Sequence, residues 1–166
     1  PAVKPAAEAT QTGTVGVLTT QATANGELYR SVCQRFAADV NVLTRIAPEL
    51  VLLVEQGDPD SPEGRATLRR VVQPLLDAGA DQIVLACTHF PFLADALRSL
   101  TRVSLVDPSA AVARQVERVL PPTMERDLRS HSAPANPHEN RYFTSGDPDA
   151  FREHLRRLIS VEQARV

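Results

Sequence analysis

The chain has 166 residues, 43% of them apolar and 23% charged, which is the composition of an ordinary globular protein. Its formal net charge of −2 gives no sign of a nucleic-acid partner, and no apolar run approaches the length of a membrane span. Two cysteines are too few for a disulfide framework in a chain of this length, so we expect a reducing, cytoplasmic location.

Short β-branched runs alternate with longer helical patterns. The first half of the chain predicts strands at 14–18 and 40–44 and helices at 26–37 and 48–56. Three apolar residues of the helix at 26–37 recur at helical spacing, so we expect them to face the core: Leu28, Val32 and Phe36.

The second half continues the alternation after a loop at 58–64. An amphipathic helix is predicted at 66–80, with a kink or break at Pro74. The remaining predictions are a strand at 82–86, a helix from Pro91, a strand at 103–107 and a helix at 108–120. Three residues of that last helix are expected to face inward: Val112, Val116 and Val119.

The C-terminal part differs in composition. Residues 121–140 hold four of the thirteen prolines and few apolar side chains, which predicts a flexible linker. A strand is predicted at 141–146, and Asp147 is expected to cap the final helix. That helix is expected to bury Phe151, Leu155, Leu158 and Ile159.

This alternation favours an α/β fold with a mostly parallel sheet flanked by helices. Sites in such folds form at the carboxyl ends of the strands. The loops after the strands at 14–18, 82–86 and 103–107 are therefore the places to look for chemistry.

Cys87, Thr88 and His89 follow the strand at 82–86 and form one such loop. Free cysteine is often buried in a purely structural role. At the junction between a strand and a helix, however, the helix N-terminus can stabilise a thiolate. The imidazole of His89 could act as acid or base, or orient a carboxylate. The residues alone leave both interpretations of Cys87 open, whereas Cys33, in the middle of a helix, is expected to be structural.

Other polar residues carry weaker signals. Glu55 ends an apolar helix, where the helix dipole disfavours a carboxylate, and this hints at a role. Thr20 and Thr23 follow the first strand and fit ordinary turn chemistry. His131 and His138 give only a weak indication of a metal site, and solvated loop residues are the preferred interpretation.

Several stretches together resemble the bacterial glutamate racemases of the aspartate/glutamate racemase superfamily. LACTHFPFL (85–93) resembles the family's second cysteine motif, and TVGVLTTQATANGELY (14–29) its strand and loop with paired threonines. IAPELVLLVEQG (46–57), VSLVDPSAAVA (103–113) and YFTSGDPDAF (142–151) match in the same order. The similarity covers nearly the whole chain except about 121–140. Ala86 stands where the family often has glycine, and Ala47 where it has cysteine.

The resemblance implies two α/β lobes with one cysteine from each. The family's Asp-Ser-Gly loop and Cys-Asn-Thr motif are absent from this sequence. Residues 1–103 then correspond to the second lobe, and 104–166 to a segment that returns to an otherwise missing first lobe. The apolar residues of that segment, Val112, Val116, Phe151 and Leu155, are expected to lack partners.

The implied reaction is the interconversion of L- and D-glutamate by two cysteines, without cofactor or metal. The resemblance assigns catalysis to Cys87, His89 and Glu55, and substrate contacts to Thr88, His89, Thr20 and Thr23. It also implies a role in peptidoglycan synthesis and is compatible with a homodimer of the intact enzyme. With one thiol of the pair, this chain alone is expected to be inactive.

Two alternatives remain at this stage. A related aspartate- or hydantoin-type racemase shares the Cys-Thr pair but usually lacks the His-Phe-Pro that follows it here. A non-catalytic module that binds an amino acid, or regulates in response to one, would keep the pocket without the reaction.

Overall fold

The computed structural model describes residues 2–120 and 141–162. They form four strands: β1 (Thr14–Thr19), β2 (Asn41–Ile46), β3 (Gln82–Ala86) and β4 (Ser104–Val106). The strands build one sheet in the order β2-β1-β3-β4, and every neighbouring pair is parallel. The predicted α/β fold with a mostly parallel sheet is therefore confirmed.

Helices occupy most of the connections between the strands. They are α1 (Val3–Ala9), α2 (Gln21–Asn25), α3 (Glu27–Phe36), α4 (Pro48–Gln56), α5 (Pro62–Asp77), α6 (Ala94–Leu100), α7 (Ser109–Val119) and α8 (Pro148–Ile159). A short 3-10 helix at Phe90–Leu93 precedes α6. Ser61 caps α5 at its N-terminus with its side chain, and Asp147 caps α8 as predicted.

The two faces of the sheet are covered by different helices. Val15 and Val17 of β1 pack in an apolar cluster with residues of α1. Gly16 points to the opposite face, where a Cβ atom would lie 2.9 Å from Cδ1 of Leu75 in α5. Because neighbouring residues of a strand face opposite sides, both faces of β1 are buried, as a central parallel strand requires.

Contacts divide the chain into two compact units, Pro1–Arg114 and Gln115–Val166. The division predicted after residue 103 stays a prediction, and β4 pairs with β3 in the sheet of the first unit. The predicted linker at 121–140 lies outside the described residues. Within the described ranges, no helix combines the length and apolar character that crossing a bilayer requires.

Several side chains predicted to face the core are exposed instead. Leu28 is 79% exposed and Val112 is 46% exposed. The others in this group are Phe36, Val116, Val119 and Ile159. Helical periodicity reports which residues share a face, but it does not show that another element covers that face. Val112 and Val116 were also expected to lack partners, and their exposure agrees with that expectation, whereas Leu155 of the same group is buried.

Some predicted elements also differ. The strand expected at 141–146 is absent from the described structure, where only Arg141 makes an isolated bridge. α5 continues through Pro74 to Asp77, so the break considered there does not occur. α1 and α2 were not predicted, because each is short and lacks an apolar stripe of useful length. The helix expected from Pro91 begins as the 3-10 turn.

Candidate active site

The candidate site lies at the carboxyl end of the sheet, where the loop after β3 meets the end of α4. Cys87 and Thr88 come directly after β3, and His89 precedes the 3-10 helix. Glu55 lies in the last turn of α4, the helix that follows β2. α4 is in contact with the 3-10 helix, and this contact brings residues 34 positions apart in the sequence together.

Cys87, His89 and Glu55 form a chain of polar contacts. The sulfur of Cys87 lies 3.9 Å from Nδ1 of His89, and Nε2 of His89 lies 2.7 Å from Oε1 of Glu55. The second distance is that of a hydrogen bond strengthened by charge. The side chains of His89 and Glu55 are about one-third exposed, at 32% and 34%, so solvent and a small substrate can reach them.

These contacts determine which ring nitrogen of His89 can exchange a proton with Cys87. When Nε2 donates its hydrogen to the Glu55 carboxylate, Nδ1 faces the thiol. A neutral imidazole can then accept the Cys87 proton at Nδ1, and an imidazolium can return it. The arrangement can therefore move a proton to and from Cys87.

The predicted substrate-binding threonines fall into two groups. Thr23 and Thr88 line the same cavity as Cys87, which has a volume of about 730 Å³. Thr20 precedes α2, and its hydroxyl contacts that of Thr23 at 3.4 Å. Among the described residues, neither His89, Glu55 nor Thr20 lines the cavity. Cys87 thus lines a mostly apolar cavity, while the polar groups that it reaches through His89 lie outside the cavity lining.

Tyr29 also lines this cavity, a position that the sequence pattern did not indicate. Its hydroxyl lies 2.5 Å from Oγ1 of Thr44 on β2. Burial raises the pKa of Tyr29 to about 12, although the contact with Thr44 acts in the opposite direction. The phenol is therefore neutral at physiological pH. A lone tyrosine on a helix carries no sequence signal for such a position.

The remaining cysteine and histidines have different surroundings. Cys33 is half-buried and packs beside the apolar cluster beneath α1 and α3. His131 and His138 lie outside the described residues, and His154 is half-buried on α8. Across residues 2–120 and 141–162, no group of three His, Cys, Asp or Glu side chains is placed to hold a metal ion.

Comparisons with known proteins agree on one family. Residues 1–116 match the family model described as Asp/Glu/hydantoin racemase. The chain is 47% identical over 157 residues to the glutamate racemase of Pseudomonas syringae pv. tomato, covering 93% of this chain and 55% of that protein. It thus spans little more than half the length of such curated relatives, 57% in the case of Pseudomonas entomophila.

Solved structures of glutamate racemases share the fold of this chain. The chain superimposes on Escherichia coli glutamate racemase, solved in complex with L-glutamate and the activator UDP-MurNAc-ala, with a TM-score of 0.72 and 28% identity. That match covers 99% of this chain and 62% of the other. A glutamate racemase isoform from Bacillus anthracis gives a TM-score of 0.75 at 21% identity, over 100% of this chain and 61% of the other, and shares the fold.

Proposed function

The chain belongs to the Asp/Glu/hydantoin racemase family, and on that basis we propose that it supplies one acid/base thiol of a glutamate racemase. The observation that carries the proposal is the chain of contacts from Cys87 through His89 to Glu55 at the carboxyl end of the sheet. The similarity to glutamate racemases over 93% of the sequence supports glutamate as the substrate.

Cys87 is the group that exchanges a proton with the α-carbon of glutamate. The thiol first gives its proton to Nδ1 of His89, and the thiolate then takes the α-proton from the substrate. Glu55 holds the imidazole by its other nitrogen and offsets the positive charge that the ring acquires. In the reverse direction the Cys87 thiol protonates the same face of the carbon.

Hydroxyl groups near the thiol hold the substrate in this proposal. Thr88 and Thr23 lie in the cavity wall with Cys87 and contact the polar groups of the amino acid. Thr20 supports Thr23 through their shared contact. The two nitrogens of His89 face Glu55 and Cys87, so toward the substrate carboxylate it contributes the positive charge that it gains on accepting a proton and no further hydrogen bond.

Inversion requires a second acid/base group on the opposite face of the α-carbon. Cys33, a residue of α3, is unsuited to that task, because it packs against the apolar cluster formed mainly by residues of α1 and β1. We therefore expect this chain alone to exchange the α-proton of one enantiomer with solvent slowly, and to produce no net inversion.

Proton exchange in deuterated buffer tests the proposal. L- and D-glutamate are incubated separately with the purified chain, and loss of the α-proton signal is followed by NMR while chiral chromatography follows inversion. We expect exchange with one enantiomer only, its loss in Cys87→Ser, and its retention in the matched control Cys33→Ser. Robust inversion by the chain would refute the single-thiol mechanism, and exchange that survives Cys87→Ser would remove Cys87 from it.

The family description also names aspartate and hydantoin. A racemase acting on one of these two substrates is therefore the second candidate function. The same exchange measurement with aspartate and with a 5-substituted hydantoin separates the two candidates. A chain that binds glutamate in calorimetry and exchanges no proton would instead be a non-catalytic binding module. A supply of D-glutamate for peptidoglycan, a cytoplasmic location and a homodimer stay predictions.

A further inference from the structure

Thr19, the last residue of β1, has a fully buried side chain at the centre of the sheet. A buried hydroxyl destabilises a fold unless it is hydrogen-bonded, and valine would have the same shape without that cost. Three of the five positions before it in the strand hold valine or leucine, namely Val15, Val17 and Leu18. A polar side chain at the end of this strand therefore calls for an explanation.

The contacts of Thr19 reach two of the segments that build the candidate site. Its hydroxyl donates to the carbonyl oxygen of Ala86 at 3.4 Å, and Ala86 directly precedes Cys87. Its carbonyl oxygen accepts from the N–H of Ala47 at 3.0 Å, and Ala47 directly precedes α4, which carries Glu55. One residue thus connects the segment of the thiol with the segment of the carboxylate.

The contact with Ala86 acts on Cys87 through the geometry of the peptide bond. The Ala86 carbonyl and the Cys87 N–H belong to one planar peptide unit, so a bond that holds the carbonyl also holds the direction in which Cys87 leaves the strand. β4 pairs with β3 only as far as Val84, so this end of β3 extends beyond its neighbour on that side. On the other side, Thr19 supplies a side-chain bond in addition to the strand pairing.

We propose that Thr19 is a positioning residue that sets the Cys87–His89 contact through the Ala86 carbonyl. The inference rests on the proposed function only in taking Cys87 as the working thiol. It concerns the reactivity of that thiol, which can be measured without any substrate.

Alkylation of the intact chain by iodoacetamide at fixed pH provides the test, with peptide mass spectrometry reading the rates of Cys87 and Cys33 separately. Cys33 is an internal control, because general loosening of the fold would raise its rate as well. Thr19→Val removes the hydroxyl, Thr19→Ser retains it, and Thr14→Val makes the same change at the other buried end of β1.

We expect Thr19→Val to lower the Cys87 rate, relative to that of Cys33, by about two- to threefold, the low end for one hydrogen bond, because 3.4 Å is long for an O–H···O contact. Thr19→Ser should restore the ratio, and Thr14→Val should leave it unchanged. An unchanged ratio in Thr19→Val, or an equal loss in Thr14→Val or Thr19→Ser, would overturn the positioning role. The circular dichroism spectrum of each variant is recorded as well, so that loss of the fold is recognised as a separate outcome.

Adding glutamate to the same assay separates the two proposals. If glutamate neither protects Cys87 nor undergoes exchange while the Thr19 variants behave as expected, the proposed function fails and the positioning role stands. If exchange occurs and depends on Cys87 but Thr19→Val changes nothing, the proposed function stands and the positioning role fails.

Discussion

α5 and α3 lie on opposite faces of the same sheet, and both have an apolar stripe in their sequence. The stripe of α5 is buried, with Leu68 and Val71 fully removed from solvent. The stripe of α3 is partly open, since Leu28 is 79% exposed and lines the cavity next to Cys87. Similar patterns thus have different outcomes. The stripe of α5 is fully packed against its face of the sheet, which we call the completed face. The face on which α3 lies, the open face, contains an apolar cavity beside the candidate thiol.

The largest expected effect comes from removing a side chain on the completed face. Leu68→Ala should lower the free energy of unfolding by about 2–5 kcal/mol, because it leaves a cavity in a packed core. Leu28→Ala on the open face is the matched control and should change it by no more than about 0.5 kcal/mol. Urea unfolding followed by circular dichroism measures both. Equal losses would show that the two helices are packed alike.

A smaller effect is expected from adding a methyl group where α5 approaches β1. In Gly16→Ala the new Cβ would lie 2.9 Å from Cδ1 of Leu75, so that side chain must shift. We expect a loss of about 1 kcal/mol, at the low end for overpacking because only the tip of a leucine has to move. Gly146→Ala, whose nearest contact is 3.6 Å, is the control. A neutral Gly16→Ala in urea unfolding would mean that the completed face is packed more loosely than described.

Asp81 links the amino ends of β1 and β3 through hydrogen bonds. Both strands contribute to the two faces of the sheet. Its carboxylate accepts hydrogen bonds from the Thr10 hydroxyl at 2.5 Å and from the backbone N–H groups of Gln11 and Thr12 at 2.6 and 3.1 Å. The bond from Thr10 lowers the pKa of Asp81 below its ordinary value of 3.8, with the two backbone bonds adding to the effect. A carboxyl with a lowered pKa stabilises the fold above its unfolded pKa, and this stabilisation is lost as the pH falls through the folded value.

Asp81→Asn should therefore lower the urea midpoint at pH 7 by less than either core substitution, and the difference from the unchanged chain should shrink as the pH falls below 3.8. Asp39→Asn, at an exposed aspartate, serves as the control. A difference that persists unchanged at acid pH would show that the charge of Asp81 is not responsible.

The smallest change in stability is expected on the open face itself. The double substitution Leu28→Gln and Val112→Gln should leave the free energy of unfolding within about 0.5 kcal/mol of the original, since both side chains are already exposed. It should reduce the fluorescence of an apolar dye such as ANS, because Leu28 and Val112 line the cavity. Undiminished dye fluorescence would place the binding surface elsewhere and weaken the contrast between the two faces.

The contrast also shows what the sequence can and cannot predict. Strand β3 was predicted with the bounds that the structure has, because a short run of mostly apolar residues between turn residues is a strong local signal. The exposure of Leu28 could not be predicted, since it depends on what covers a face and not on the face itself. The strand expected at 141–146 fails for a related reason: a strand needs a partner, and propensity alone does not supply one.

The candidate site shows the same difference between features that follow from local sequence and features that depend on distant residues. The position of Cys87 at the end of a strand followed from local pattern. The contact between His89 and Glu55 joins residues 34 apart, and only the resemblance to a family suggested it. The role of Thr19 had no signal in the sequence, because a threonine next to a turn has many ordinary uses.

The strand order β2-β1-β3-β4 has a consequence for how the chain acquires its structure. β1 is made before its two neighbours, and β3 begins only at Gln82, after β2 and the four helices α2 to α5 have been synthesised. Until then one edge of an apolar strand has no partner, and pairings of this kind over long sequence separations form slowly. We expect the period between synthesis of β1 and of β3 to be when a nascent chain is most prone to aggregate and benefits most from a chaperone.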